Sequence, residues 1–137
     1  MILVDTSAWI EFDRGINSTV GKRVAELIAV GEGIAVTEPV LMEVLIGARN
    51  ASREADLRDL LRNNEFLPFD CVADFDSAVQ IYRKCRGAGV MPSGPVDCMI
   101  AAVALRFGVS ILSHDADLVR IAKVVGLQVD TASIEID

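Results

Sequence analysis

Short unbroken apolar runs alternate along this chain with longer stretches whose apolar residues recur every three or four positions. Ile2-Leu3-Val4, Ile34-Ala35-Val36 and Ser110 to Ser113 are of the first kind. An unbroken run fits a strand covered on both faces, whereas a strand with one wet face alternates. Helical stripes lie between them. Thr6 and Ser7 offer hydroxyls at the start of a short helix carrying Trp9, Ile10 and Phe12, which Asp13, Gly15 and Asn17 break. Ser18 is placed to cap a second helix, with Val20, Val24, Leu27 and Ile28 on one face and Gly31 and Gly33 closing it. Thr37 and Pro39 open a third, striped by Leu41, Val44 and Leu45. Ser52 is expected to start a fourth, with Leu57, Leu60 and Leu61 inward and Arg53, Arg58 and Arg62 on its polar side.

Phe66 to Phe69, interrupted by Pro68, predicts a short edge strand. Val72, Phe75, Val79 and Tyr82 define a fifth helix ending near Gly87 or Gly89, and Met91 to Pro95 is a turn-rich loop. The stretch from about Val96 to Phe107 is apolar nearly all round, so its helix should be central. Leu118, Ile121, Ala122 and Val125 form the last helical stripe, and Leu127 to Val129 predicts a final strand. The alternation implies an α/β fold: an α/β/α sandwich with a mainly parallel central sheet flanked by helices.

Composition narrows the picture. A length of 137 residues predicts one domain spanning 1–137, and 52% apolar with 5% aromatic residues predicts an aliphatic core. The net charge of −7 argues against general coating of nucleic acid, which needs a basic surface. It leaves room for a nuclease whose metal supplies the local positive charge. Cys71, Cys85 and Cys98 have no CxxC spacing and read as reduced thiols. His114 is the lone histidine, so a His-rich zinc site and a His-based triad are poorly supported; it reads as a loop or cap residue. No signal peptide or membrane span is visible, and the protein is expected to be cytoplasmic, without membrane partners.

What then stands out is where the acids fall. Asp5 follows the first strand, Glu43 lies about one turn into the helix after the second, Asp97 opens the central helix, and Asp115 follows Ile111-Leu112, with Asp117 close behind. Each has a plain structural reading. Asp5 and Asp115 suit helix N-caps, Asp97 and Asp117 suit first turns where the helix dipole favours an anion, and Glu43 suits a solvated helix face. Their coincidence weakens those readings. The carboxyl ends of parallel strands share one edge, where sites form, and carboxylates gathered there repel unless something positive joins them. A hard divalent cation, Mg²⁺ or Mn²⁺, is the simplest candidate, with substrate phosphate completing its shell.

The segments ILVDTSAWI, TEPVLMEVLIGA, VDCMIAAVAL and SILSHDADL occur in an order and at separations that match a known pattern. Across essentially its whole length the chain resembles the PIN-domain ribonucleases, specifically the VapC-type toxins of bacterial toxin–antitoxin pairs. The resemblance implies that Asp5, Glu43, Asp97 and Asp115 are catalytic and metal-binding, with Asp117 an additional site acid. It implies Mg²⁺- or Mn²⁺-dependent cleavage of structured RNA such as tRNA or ribosomal RNA, and so inhibition of translation. Thr6 or Ser7 would orient Asp5 or bind the phosphate. The implied partners are a cognate VapB-type antitoxin, whose C-terminal segment would place an Arg among the carboxylates, and a second copy, giving a homodimer and a heterotetramer or larger with antitoxin. Arg83 and Arg86, with Arg14, Arg49 and Lys84, are candidate phosphate contacts, although solvated helix faces explain single surface charges as well. Leu118 departs from the pattern, since many members have Phe there; an effect on packing is expected.

Rival readings fare worse. A phosphatase of the haloacid dehalogenase type would use Asp5 as nucleophile and needs an acid two residues on, where this chain has Ser7. A receiver domain needs a Lys ending a late strand, where this chain has Ser113-His114-Asp115. A catalytically silent PIN-fold binding module would be expected to have lost some of the acids.

Overall fold

The computed structural model describes residues 1–136. The first two strands and the helices after them follow the pattern closely: β1 (Ile2–Val4), α1 (Thr6–Asp13), α2 (Thr19–Val30), β2 (Ile34–Val36) and α3 (Glu38–Ile46). The chain continues through α4 (Ala51–Arg62), β3 (Glu65–Phe66), α5 (Ala73–Gly87), α6 (Pro95–Phe107), β4 (Ser110–Leu112) and α7 (Ala116–Val125). Ser18 caps α2 through its hydroxyl, which accepts from the Gly21 N–H at 3.0 Å. Gly31 closes the same helix at φ 83°, a left-handed conformation that an L side chain resists.

Every strand pairing is parallel, in the order β3-β2-β1-β4. The chain walks outward from β1 to β3, then returns to place β4 on the other side of β1. Right-handed crossovers put the helices of the two walks on opposite faces. Accordingly α1 packs on α2 and α3, and α3 on α4, while α5, α6 and α7 pack on one another. Strands β1, β2 and β4 are sealed between these layers with the inner face of α6: Leu3, Val4, Ala35, Ile100, Ala101, Val103, Ile111 and Leu112 are fully buried, while the edge strand β3 stays exposed. The unbroken apolar runs arise because both sheet faces are covered. The strand order reverses between β1 and β4, so a crevice at the carboxyl edge opens between them.

Four local expectations are revised. Asn50, rather than Ser52, caps α4: its side-chain oxygen accepts from the Arg53 N–H at 2.8 Å, so the helix begins one residue earlier. The edge strand is Glu65–Phe66, with one more ladder bond from the Leu67 N–H to the Val36 carbonyl before Pro68, which has no N–H, ends it. In α5 the buried face is Asp74, Ala78, Ile81 and Cys85, while Val72, Phe75 and Val79 are exposed. Small residues let α5 approach α6 closely, and buried Asp74 is matched by Arg106, whose guanidinium reaches it at 2.8 Å and also donates to the Pro68 carbonyl. Finally, Leu127 to Val129 makes no strand, only a parallel bridge from Val129 to Ile111. Gln128 and Asp130 bond the Ile111 backbone at 3.0 and 2.7 Å, and β4 is too short to template more.

Candidate active site

Four of the acids stand where a strand hands over to a helix or one turn beyond. Asp5 takes the N-cap position of α1, but its side chain makes no capping bond. Its Oδ2 instead accepts from two hydroxyls, Ser7 Oγ at 2.7 Å and Ser113 Oγ at 2.9 Å. The backbone ties the same corner together, for the Asp5 N–H donates to the Leu112 carbonyl at the end of β4. Asp5 is 2% exposed. Burial pushes its carboxyl above the ordinary range, the bonds from Ser7 and Ser113 pull against that, and the nearby Asp115 charge adds to the rise.

Each serine oxygen also accepts a backbone N–H. Ser7 Oγ receives the His114 N–H at 2.8 Å, and Ser113 Oγ receives the Asp115 N–H at 3.0 Å. The loop after β4 is therefore fastened to the loop after β1 by side chains that also hold Asp5. Asp115 caps α7 by accepting from the Asp117 N–H at 2.9 Å, so its structural reading as an N-cap holds beside any other role. Thr6 turns the other way and donates to Glu43 Oε1 at 2.7 Å, linking α1 to α3. The two adjacent hydroxyls thus serve two different acids.

Asp97 lies in the first turn of α6, after Gly94 and Pro95. Glu43, Ser93, Gly94, Val96 and Asp97 line a common cavity of about 220 Å³. Burial lifts the Asp97 carboxyl to about 7, with further repulsion from Asp5, Asp115, Glu43 and Asp117 in that order. Acids from α1, α3, α6 and α7 therefore share one electrostatic centre, as their places in the chain suggested. Among the described residues, no three Asp, Glu, His or Cys side chains converge closely enough to close round one ion unaided. That donor set fits a cation that keeps several waters and takes few carboxylates, which is the habit of Mg²⁺. The mutual repulsion at Asp97 is what such a charge would relieve.

Arg83 and Arg86 are not part of this centre. They line a largely apolar groove of about 360 Å³ with Phe75, Tyr82, Pro95 and Met99. Arg14 and Arg49 lie on the other side of Glu43, in a cavity with Asp13 and Arg53. Ser113 carries no site role in the pattern reading, though its position was legible: a hydroxyl ending an apolar run beside His-Asp. Glu11 escaped as well. It is 9% exposed, and its Oε1 lies 3.4 Å from His114 Nε2, a long-range pairing that no local pattern announces.

The family model described as PIN domain matches residues 2–124. Ribonuclease VapC11 of Mycobacterium tuberculosis is 40% identical over 129 residues, covering 93% of this chain and 96% of that protein. Among solved structures, FitAcB from Neisseria gonorrhoeae superposes with a TM-score of 0.72 at 20% identity, covering 96% of this chain and 98% of that one. A toxin–antitoxin complex from Klebsiella pneumoniae gives 0.66 at 18% identity, covering 84% and 87%. The chain belongs to the PIN-domain family. Within it, the curated likeness makes it a nuclease of the VapC ribonuclease branch, whose members depend on a divalent metal. Among the described residues no helix is long and apolar enough to cross a membrane.

Proposed function

We propose that this ribonuclease is the toxin of a type II toxin–antitoxin pair. It cuts phosphodiester bonds of tRNA or another structured RNA, inhibits translation in the cytoplasm and is neutralised by a VapB-type antitoxin. The observation that carries the reading is the single electrostatic centre at the carboxyl edge, where burial lifts the Asp97 carboxyl to about 7 and the charges of Asp5, Asp115, Glu43 and Asp117 add to the rise. A scaffold with no use for a cation would not be expected to gather them there.

In this reading the cation sits among Asp5, Glu43, Asp97 and Asp115, with Asp117 beside them, taking few of the carboxylates directly and the rest through its waters, and Mg²⁺ is the favoured ion, with Mn²⁺ as substitute. When bound, the cation supplies charge that polarises the scissile phosphate and makes a water acidic enough to attack. The protein's share is positioning. Ser7 and Ser113 fix one oxygen of Asp5, and Thr6 fixes one oxygen of Glu43. Thr6 and Ser7 are thus oriented toward carboxylates, which favours their acting on the acids over direct grip on phosphate. Asp97 and Glu43 face a common cavity in which a phosphate and its water can sit. The whole chain, 1–137, is read as one PIN domain. It pairs as a homodimer and assembles with antitoxin as a heterotetramer or larger. An antitoxin Arg entering among the carboxylates would make charge-assisted bonds with them and displace the metal.

The test is cleavage of total cellular RNA by antitoxin-free protein, with Mg²⁺ and with EDTA, beside Asp97→Asn and Asp5→Asn. Discrete fragments that require both the metal and each acid support the reading. Full activity in either variant sinks the site assignment, and no cleavage under any metal sinks the nuclease.

A further inference from the structure

Glu43 belongs to two neighbourhoods. On one side it shares a cavity with Asp97; on the other it lines a trough with Trp9, Ile10, Asp13, Arg14 and Leu57. That trough runs on into a second cavity of about 380 Å³, which shares Asp13, Arg14, Gly47 and Leu57 with it and adds Arg49, Asn50 and Arg53. The charge here is opposite to the rest of the molecule. In a chain of net charge −7, this cavity sets three arginines against one aspartate. Its single acid is already matched, because Asp13 is ion-paired with Arg53. Arg14 and Arg49 are exposed and have no acidic partner among the described residues.

We infer that Arg14 and Arg49 receive backbone phosphates of the RNA strand next to the one being cut, so that the substrate enters the acidic centre along α1 and the α3–α4 turn. The inference rests on the ribonuclease reading above and adds the direction of approach. A polyanion meeting five clustered acids needs compensating cations close by, and only those contiguous with the centre can serve the adjoining phosphates. Arg14 meets that condition, since it and Glu43 line the same trough. The Arg83–Arg86 cluster does not line a cavity with any of the acids. The Asp13–Arg53 pair keeps the cavity's own acid from neutralising Arg14 or Arg49, which leaves both guanidinium groups available for phosphate oxygens.

The test is binding of fluorescein-labelled bulk tRNA to the chain carrying Asp97→Asn, which prevents cleavage, across a salt series. Adding Arg14→Ala with Arg49→Ala is expected to weaken binding roughly tenfold at low salt and to lower the slope of log affinity against log salt by roughly one to two. Arg14→Lys with Arg49→Lys should retain most of the affinity, because a phosphate contact needs the charge. Lys22→Ala with Lys123→Ala removes equal charge elsewhere and should leave the slope unchanged. In the Asp97 background each variant's melting temperature must match its parent. Unchanged affinity and slope in the Arg14/Arg49 variant, while the wild-type chain still cuts RNA, overturns the inference and leaves the nuclease standing. So does a variant that binds RNA normally but no longer captures antitoxin, which would make the cavity a protein-docking surface. Absence of RNA cleavage by the wild-type chain would remove both.

Discussion

At the scale of single residues, Asp97 connects pH to stability. Its carboxyl titrates at about 7 in the metal-free fold, whereas in the unfolded chain it returns to its ordinary value near 3.8. Between those values the folded state keeps a proton that the unfolded state has lost, so stability falls as pH rises through that window. Metal-free protein should therefore melt higher at about pH 5 than at about pH 8, and Asp97→Asn should shrink the difference. Differential scanning calorimetry in EDTA checks this; a metal-free melting point that rises with pH in wild type alone would contradict it. Ser113 gives a second prediction. Its hydroxyl orients Asp5 without adding charge, so Ser113→Ala should weaken divalent-metal affinity by roughly 10- to 100-fold while the fold persists. Calorimetric titration with Mn²⁺ would read it, and an unchanged affinity would reduce Ser113 to a loop fastener.

At the scale of elements, the legible parts of the sequence were those whose cause is local. Ile2–Val4, Ile34–Val36 and the Ser18 and Gly31 caps follow from runs, hydroxyls and glycines within a few residues of where they act. The face of α5 was not legible in that way. Phe75 and Val79 make as good a stripe as Ala78 and Ile81, and what decides between them is the α6 surface and the Arg106 partner for Asp74, more than thirty residues away. Leu127 to Val129 has strand composition but meets a three-residue partner. Glycine caps remain the sharpest local test. Gly126 ends α7 at φ 73°, and a Cβ there would meet no neighbour, so Gly126→Ala isolates the backbone strain. It should cost about 1–2 kcal/mol in a denaturant titration. A neutral result would mean that the helix ends differently from the way described.

At the scale of the whole molecule, the acids were individually visible in the sequence, but their convergence was visible only through the sheet order. Asp5 and Ser113 meet because β4 docks against β1 across a separation of 108 residues. The hydroxyl of Ser113 stands visibly at the end of an apolar run, but its partner Asp5 is not apparent until that pairing is known. The shared centre also predicts a linkage that no single acid would produce. A divalent cation that binds only the fold should raise the melting temperature progressively with concentration. The rise seen in wild type with Mn²⁺ should largely vanish in Asp97→Asn; an equal rise in both would place the ion elsewhere.

The tail beyond α7 has its own consequence. The Ser113 N–H donates to Ser133 Oγ at 3.0 Å, and the Ile134 N–H returns a bond to the Ser113 carbonyl at 2.9 Å. Ser133 and Ile134 lie outside the span matched by the family model, yet they clasp the strand end that holds Asp5. Synthesis runs from Asp5 toward Ser133, so a nascent chain still tethered to its ribosome has the first acid long before it has the last clasp. The first acid is thus made early, while the bond that steadies its serine partner must wait for residue 133.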